Sequence, residues 1–313
     1  MSAVRVVVVG SFPPAEEDQL RSVEGVDLEI VADRAGLSGV IASAEVVAGT
    51  VDADLLSRAP ELRWVQSWAA GPNEMLYPEM IDSDIVLTCA KGNGAVPLAE
   101  HAMLLMMMLN SGSAAWFDAQ RERRWGRHPH NELQGRTCGI IGLGGSGQDL
   151  AEKAQAFHMR VLGVRRNHQP TPFVDEILPL DHLHDLLERS DFVAITTPLT
   201  DETRGLIGEA QLRAMRPTAF LVNISRGGII DDDALLRALQ EGWIAGAGLD
   251  AHGVEPLPAD SLFWTAPNTI ITPHNGATTP QTTRRGLEIF VDNLVRYTQG
   301  RPLNNIVDKI AGY

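Results

Sequence analysis

Short apolar runs alternate with polar stretches of helical length along the first hundred residues. Val4–Val9, Leu28–Val31, Glu45–Ala48, Trp64–Ser67 and Ile85–Thr88 have the length and apolar content of strands, and helical stretches lie between most of them. Such alternation predicts a parallel sheet with helices on its faces. The loop Trp68–Pro72 follows the fourth run, so it falls at the C-terminal edge of the sheet, where α/β folds bind ligands. From Pro97 to about Arg124 the pattern turns helical. Leu98, His101, Ala102, Leu105 and Leu109 share one face, while Met103, Leu104 and Met106–Met108 make the helix apolar nearly all round. Such a helix must be buried, either in a core between domains or against a second subunit. Its methionines suit an irregular interface, so a homodimer is expected, with Arg121–Trp125 reaching toward the partner. A second α/β series begins at Thr137. Strands are predicted at Thr137–Ile141, Arg160–Val164, Phe192–Ile195, Ala219–Asn223, Ala245–Leu249 and Thr269–Thr272. Helices are predicted after Gly145, Asp181, Gly208 and Asp231, the last with Asp231–Asp233 as cap and first-turn acids, and a final one near Pro280–Tyr297.

Composition narrows the classes. At 313 residues the chain is too long for one ordinary core and suggests two domains. A net charge of −14 argues against a nucleic-acid partner, while local arginines can still hold a small anion. Two cysteines, Cys89 and Cys138, make neither a disulfide framework nor a metal knuckle and read as small buried hydrophobes; no metal site is expected. The opening residues read as a first strand and not as a signal peptide. The longest apolar run, Ala102–Leu109, is far below the roughly 18 residues that span a bilayer. A cytoplasmic protein without membrane contact is expected.

The run Gly142-Leu143-Gly144-Gly145-Ser146-Gly147 stands between an apolar strand and a helical stretch. That context turns a weak G-x-G-x-x-G match into a strong dinucleotide signal. Gly142 permits the turn, Gly144 lets the backbone approach a pyrophosphate, and Gly147 lets helix and strand pack closely. The helix N-terminus that begins at Gly145 and Ser146 offers N–H groups and a positive dipole end to the phosphates. The second strand ends in Arg165-Arg166, where an NAD site would carry Asp or Glu. A guanidinium fork matches a phosphate, so NADP is the expected cofactor and NAD the weaker alternative.

Three more strands each end in a chemically loaded segment: Asn223–Gly228 with Arg226, Leu249–Pro256 with Glu255, and Thr272–Ala277 with His274. In a parallel sheet these ends converge on one crevice. The chain here resembles the D-isomer-specific 2-hydroxyacid dehydrogenase family. The pieces are AAG at 69–71, PLAEHAM at 97–103, ELQGRTCGIIGLGGSG at 132–147, TTPLTDETRGLIG at 196–208, NISRGGIID at 223–231, LD-x4-EPLP at 249–258 and PNTIITPHNGAT at 267–278. The resemblance implies that Arg226 holds the substrate carboxylate and polarises the keto oxygen. It implies that His274 is general acid in reduction and general base in oxidation, and that Glu255 orients His274 and favours its charged form. Asp250 would contact the nicotinamide side, Thr197 and Ile224 would complete the cofactor site, and backbone N–H groups near Ala70 and Gly71 would bind the carboxylate.

The sequence departs from the common family pattern at Arg165, where NAD-type members have Asp. It departs again at His252, where an aromatic or Thr is frequent, and at Trp68–Asn73, where Pro72 removes a backbone donor. EPLP with a basic strand end resembles the glyoxylate/hydroxypyruvate reductase branch. The expected fold is two Rossmann-like, doubly wound α/β domains: a discontinuous substrate domain (1–98 and 285–313) and an inserted NAD(P)-binding domain (99–284), with a cleft that closes on ligand. The expected function is hydride transfer between NADPH and a small 2-keto acid, giving the D-2-hydroxy acid. The rivals are a dehydrogenase of another small acid, such as formate or phosphite, and a non-catalytic nucleotide-sensing scaffold.

Overall fold

The computed structural model describes residues 3–166 and 169–312. The chain forms two compact units, one of Met1–Asn93 with Thr279–Tyr313 and one of Gly94–Thr278. In the first unit β1 (Val4–Val9), β2 (Val26–Val31), β3 (Val46–Ala48), β4 (Trp64–Ser67) and β5 (Val86–Cys89) make a parallel sheet in the order β2-β1-β3-β4-β5. Alternate residues point to opposite faces of a strand, and here both faces are buried. Val7, Val47, Val65 and Leu87 enter one core, and Val6, Val8, Val46, Ala48 and Trp64 enter the other. This is why the strands read as continuous apolar runs. The C-terminal helix Pro280–Thr298 covers the second face with Leu287, Phe290 and Leu294. The chain then returns to bridge Thr88 with Ile306.

The second unit holds β6 (Thr137–Ile141), β7 (Arg160–Val164), β8 (Glu176–Leu178), β9 (Phe192–Ile195), β10 (Phe220–Asn223), β11 (Gly246–Leu249) and β12 (Thr269–Ile271). Their order is β12-β11-β10-β9-β6-β7-β8, all parallel. Ile141, Leu162, Val193, Leu221 and Ala247 pack on one face, and Cys138, Ile140, Val161, Phe192 and Val222 on the other. The chain reverses direction across the sheet between β6 and β9, and that switch point is where such sheets bind nucleotides.

One expectation needs correction. The helical stretch from Pro97 is two helices, Ala95–Ser111 and Ser113–Arg121, because Gly112 turns left-handed at φ 62°. Within the single chain the first helix is buried on part of its surface. Ala99, Ala102, Leu105, Met106 and Leu109 are in the core, but Leu104 (45% exposed) and Met107 (38%) are not, nor are Trp116 and Phe117 on the second helix. The strand β8 was not anticipated. Cys89 and Cys138 are free and buried, and burial raises both thiols, Cys138 to about 12. No helix among the described residues is long and apolar enough to cross a membrane.

Candidate active site

Each chemical group of the second unit stands at the C-terminal end of a strand. After β6 comes Gly142, after β7 Arg165, after β9 Thr197, after β10 Arg226, after β11 Glu255 and after β12 His274. Neighbouring strands in register place neighbouring loops side by side, so sheet order explains the gathering.

The helix Gly145–Ala156 begins directly behind β6 with Gly144 as its N-cap. A Cβ on Gly147 would stand 2.1 Å from the Gly142 carbonyl oxygen and 2.9 Å from Thr196 Oγ1, so only glycine lets the helix sit this close. A Cβ on Gly144 would meet nothing within 4 Å. The exposed side of Gly144 is thus an open cradle at a positive helix end, which fits a dinucleotide pyrophosphate. Gly142 packs against the backbone of Thr197, whose carbonyl accepts the Ser225 hydroxyl. Ile224 is buried in the core beneath. Arg165 Nη1 donates to Thr171 Oγ1 at 3.1 Å, and Arg166 pairs with Glu202 at 2.6 Å.

His274 Nδ1 lies 2.7 Å from Glu255 Oε2. A carboxylate only accepts, so Nδ1 carries a proton and Nε2 is left to face a ligand. Burial pushes the Glu255 carboxyl up. The His252 N–H and the His274 ring outweigh that, and Glu255 ends below the ordinary range. His274 adopts φ 50°, a left-handed conformation unusual for a side-chain-bearing residue. Its backbone N–H donates to the Thr272 carbonyl at 3.0 Å. The next two N–H groups, of Asn275 and Gly276, donate to the Asp250 carboxylate at 3.0 and 2.9 Å.

Asp250, expected on the nicotinamide side, is fully buried with both oxygens bonded inside the fold. Thr272 Oγ1 donates to it at 2.7 Å and therefore accepts from His101 Nε2 at 2.9 Å. Burial alone would raise this carboxyl, but His101, Thr272, Gly276 and Asn275 hold it well below the usual range. Asn223 ties two loops together, its Nδ2 donating to the Arg226 and Ala251 carbonyls at 3.1 and 3.3 Å. Arg226 Nη1 donates to the Ser225 carbonyl at 2.9 Å. Thr272, His101 and Asn223 were missed in the sequence, although each lies inside a motif quoted above.

Ala70 and Gly71 belong to the first unit, at the end of β4. Their loop rests on a buried network. Trp64 Nε1 donates to Thr88 Oγ1, which donates to Gln66 Oε1 (2.7 Å each), and Gln66 Nε2 donates to the Ser67 carbonyl. The Ala69 N–H donates to Ser67 Oγ at 3.2 Å.

Residues 103–276 match the family described as D-isomer specific 2-hydroxyacid dehydrogenase, NAD binding domain. A glyoxylate reductase of Korarchaeum cryptofilum is 37% identical over 268 residues, covering 83% of this chain and 80% of that protein. A solved D-isomer specific 2-hydroxyacid dehydrogenase family protein from Aeromonas salmonicida superposes with a TM-score of 0.90 at 30% identity, covering 98% of this chain and 100% of that one. The NADPH-dependent glyoxylate/hydroxypyruvate reductase of Sinorhizobium meliloti, solved with NADP and sulfate, gives 0.86 at 29% identity, with 99% and 100% covered.

Proposed function

The chain belongs to the D-isomer-specific 2-hydroxyacid dehydrogenase family and is an NAD(P)-dependent oxidoreductase, and from this premise we propose that it reduces glyoxylate or a similarly small 2-keto acid with NADPH. The observation that carries the reading is the Glu255–His274 pair, with Nε2 left for substrate. Glu255 holds the ring by Nδ1, which fixes its orientation. The charged ring then donates its Nε2 proton to the keto oxygen as that oxygen becomes an alcohol. Arg226 grips the carboxylate with two parallel N–H bonds, which a lysine cannot reproduce.

Gly142, Gly144, Gly145, Ser146 and Gly147 would hold the pyrophosphate, with Thr197 and Ile224 beside them. Arg165 and Arg166 would meet the 2′-phosphate; both follow β7, next to β6, and no carboxylate replaces them. When bound, the reduced nicotinamide supplies the hydride that reaches the keto carbon. The exposed Leu104, Met107, Trp116 and Phe117 support a homodimer through this surface. Buried free thiols suit a reducing cytoplasm.

Initial rates with glyoxylate, hydroxypyruvate and pyruvate, each with NADPH and NADH, test the proposal, with formate and phosphite run in the oxidative direction. Turnover of a 2-keto acid with NADPH preferred is the expected result. Turnover confined to formate or phosphite, or none with any acid, refutes it.

A further inference from the structure

The loop that carries Glu255 and the turn that carries His274 meet at a residue the mechanism above does not use, His252. It is only 8% exposed. Its backbone N–H donates to Glu255 Oε1 at 2.8 Å, while the other oxygen of that carboxylate holds the His274 ring. Its own ring Nε2 lies 3.1 Å from the Thr272 carbonyl oxygen. A carbonyl accepts and cannot donate, so His252 Nε2 carries the proton. That same carbonyl takes the backbone N–H of His274. The backbone N–H of His274, the residue with the left-handed φ, is therefore bonded to an oxygen that the His252 ring also holds.

The remaining contacts of His252 tie it to its surroundings. Its carbonyl lies under the loop of Arg226, where a Cβ on Gly227 would stand 1.8 Å from it. The following Gly253 N–H donates to Asp232. One residue thus touches the ends of β10, β11 and β12 together.

We propose that His252 is a positioning residue that sets both members of the Glu255–His274 pair, one through its backbone N–H and the other through its ring. The inference rests on that pair being the proton-transfer machinery. An aromatic hydrocarbon would fill the same space but donate nothing to Thr272. A glutamine would keep an N–H at similar reach.

The test compares His252→Phe with His252→Gln. His252→Phe is expected to lower kcat for keto acid reduction by about 10- to 100-fold, as for a slightly misplaced catalytic group, with KM for NADPH unchanged. His252→Gln is expected to recover most of kcat. Long-range proton–nitrogen NMR of the imidazoles, without substrate and at about pH 9 where a free ring is neutral, reads the geometry without turnover. Wild type and His252→Gln should show His274 protonated at Nδ1, and His252→Phe should show Nε2 protonation gaining. If His252→Phe does not fold, His252→Leu replaces it in the comparison. A folded variant without the ring donor that keeps wild-type kcat and the Nδ1–H form overturns the proposal, as do equal losses in the donor-free and Gln variants. A wild-type protein that reduces no 2-keto acid counts against the proposed function instead, and the nitrogen shifts still decide the role of His252.

Discussion

Gly144 and Gly147 lie three residues apart in one loop, and the structure assigns them opposite sensitivities. Gly147→Ala would put a methyl group 2.1 Å from the Gly142 carbonyl oxygen. Neither backbone can yield without moving the helix off β6. Overpacking of this kind costs about 1–3 kcal/mol, a fall of roughly 2–12 °C in melting temperature at 2–4 °C per kcal/mol. Gly144→Ala meets no atom of the protein within 4 Å, and its φ of −77° and ψ of −164° suit an L-residue. Its melting temperature should match or slightly exceed wild type, because alanine restricts the unfolded chain. The new methyl instead occupies the space assigned to the pyrophosphate. Losing one charge-assisted hydrogen bond there costs about 1.5–3 kcal/mol, roughly a 10- to 150-fold rise in Kd for NADPH. Thermal unfolding of the apoprotein and calorimetric titration with NADPH read the two effects separately. A Gly144→Ala protein that binds NADPH with wild-type affinity would refute the placement of the phosphates.

Arg165→Asp should erase or invert a preference for NADPH over NADH, which one charge-assisted phosphate contact sets at about 10- to 100-fold; kcat/KM with each cofactor checks this, and equal wild-type values would count against it. Glu255 has a lowered pKa, so its carboxylate persists as pH falls through the ordinary Glu value of about 4.3 and is lost only below it. The acid limb of reduction in a kcat/KM–pH profile should therefore not set in above that value. Sedimentation should give a dimer at micromolar concentration, and Leu104→Glu with Met107→Glu should shift it to monomer without lowering activity per folded site by way of the core; a wild-type monomer would rule out the interface.

The sequence announced the strands best where apolar runs were long and bounded by turns. Thr137–Ile141, Arg160–Val164 and Phe192–Ile195 coincide with β6, β7 and β9. The strand β8 escaped notice because Glu176–Leu178 is three residues long and lies at a sheet edge, with too little pattern to reveal period two. The break at Gly112 escaped because a glycine near the end of an apolar helix does not declare its φ in the sequence. Arg226, Glu255 and His274 were legible as strand-end residues in family motifs. The support under them was not. Asp250 bonding to two backbone N–H groups, His101 reaching Thr272 and His252 reaching the Thr272 carbonyl all join residues distant in the chain. Spacing along one strand carries no record of such contacts.

The central claim is that His274 supplies the proton in reduction of a 2-keto acid. The direct measurement is the initial rate of NADPH oxidation with saturating glyoxylate for wild type and His274→Ala, with NADPH binding measured on the same preparations. The account predicts a turnover loss of about 10²- to 10⁴-fold for the variant, with cofactor affinity and melting temperature retained. A folded, NADPH-binding His274→Ala protein that reduces glyoxylate at the wild-type rate would contradict it.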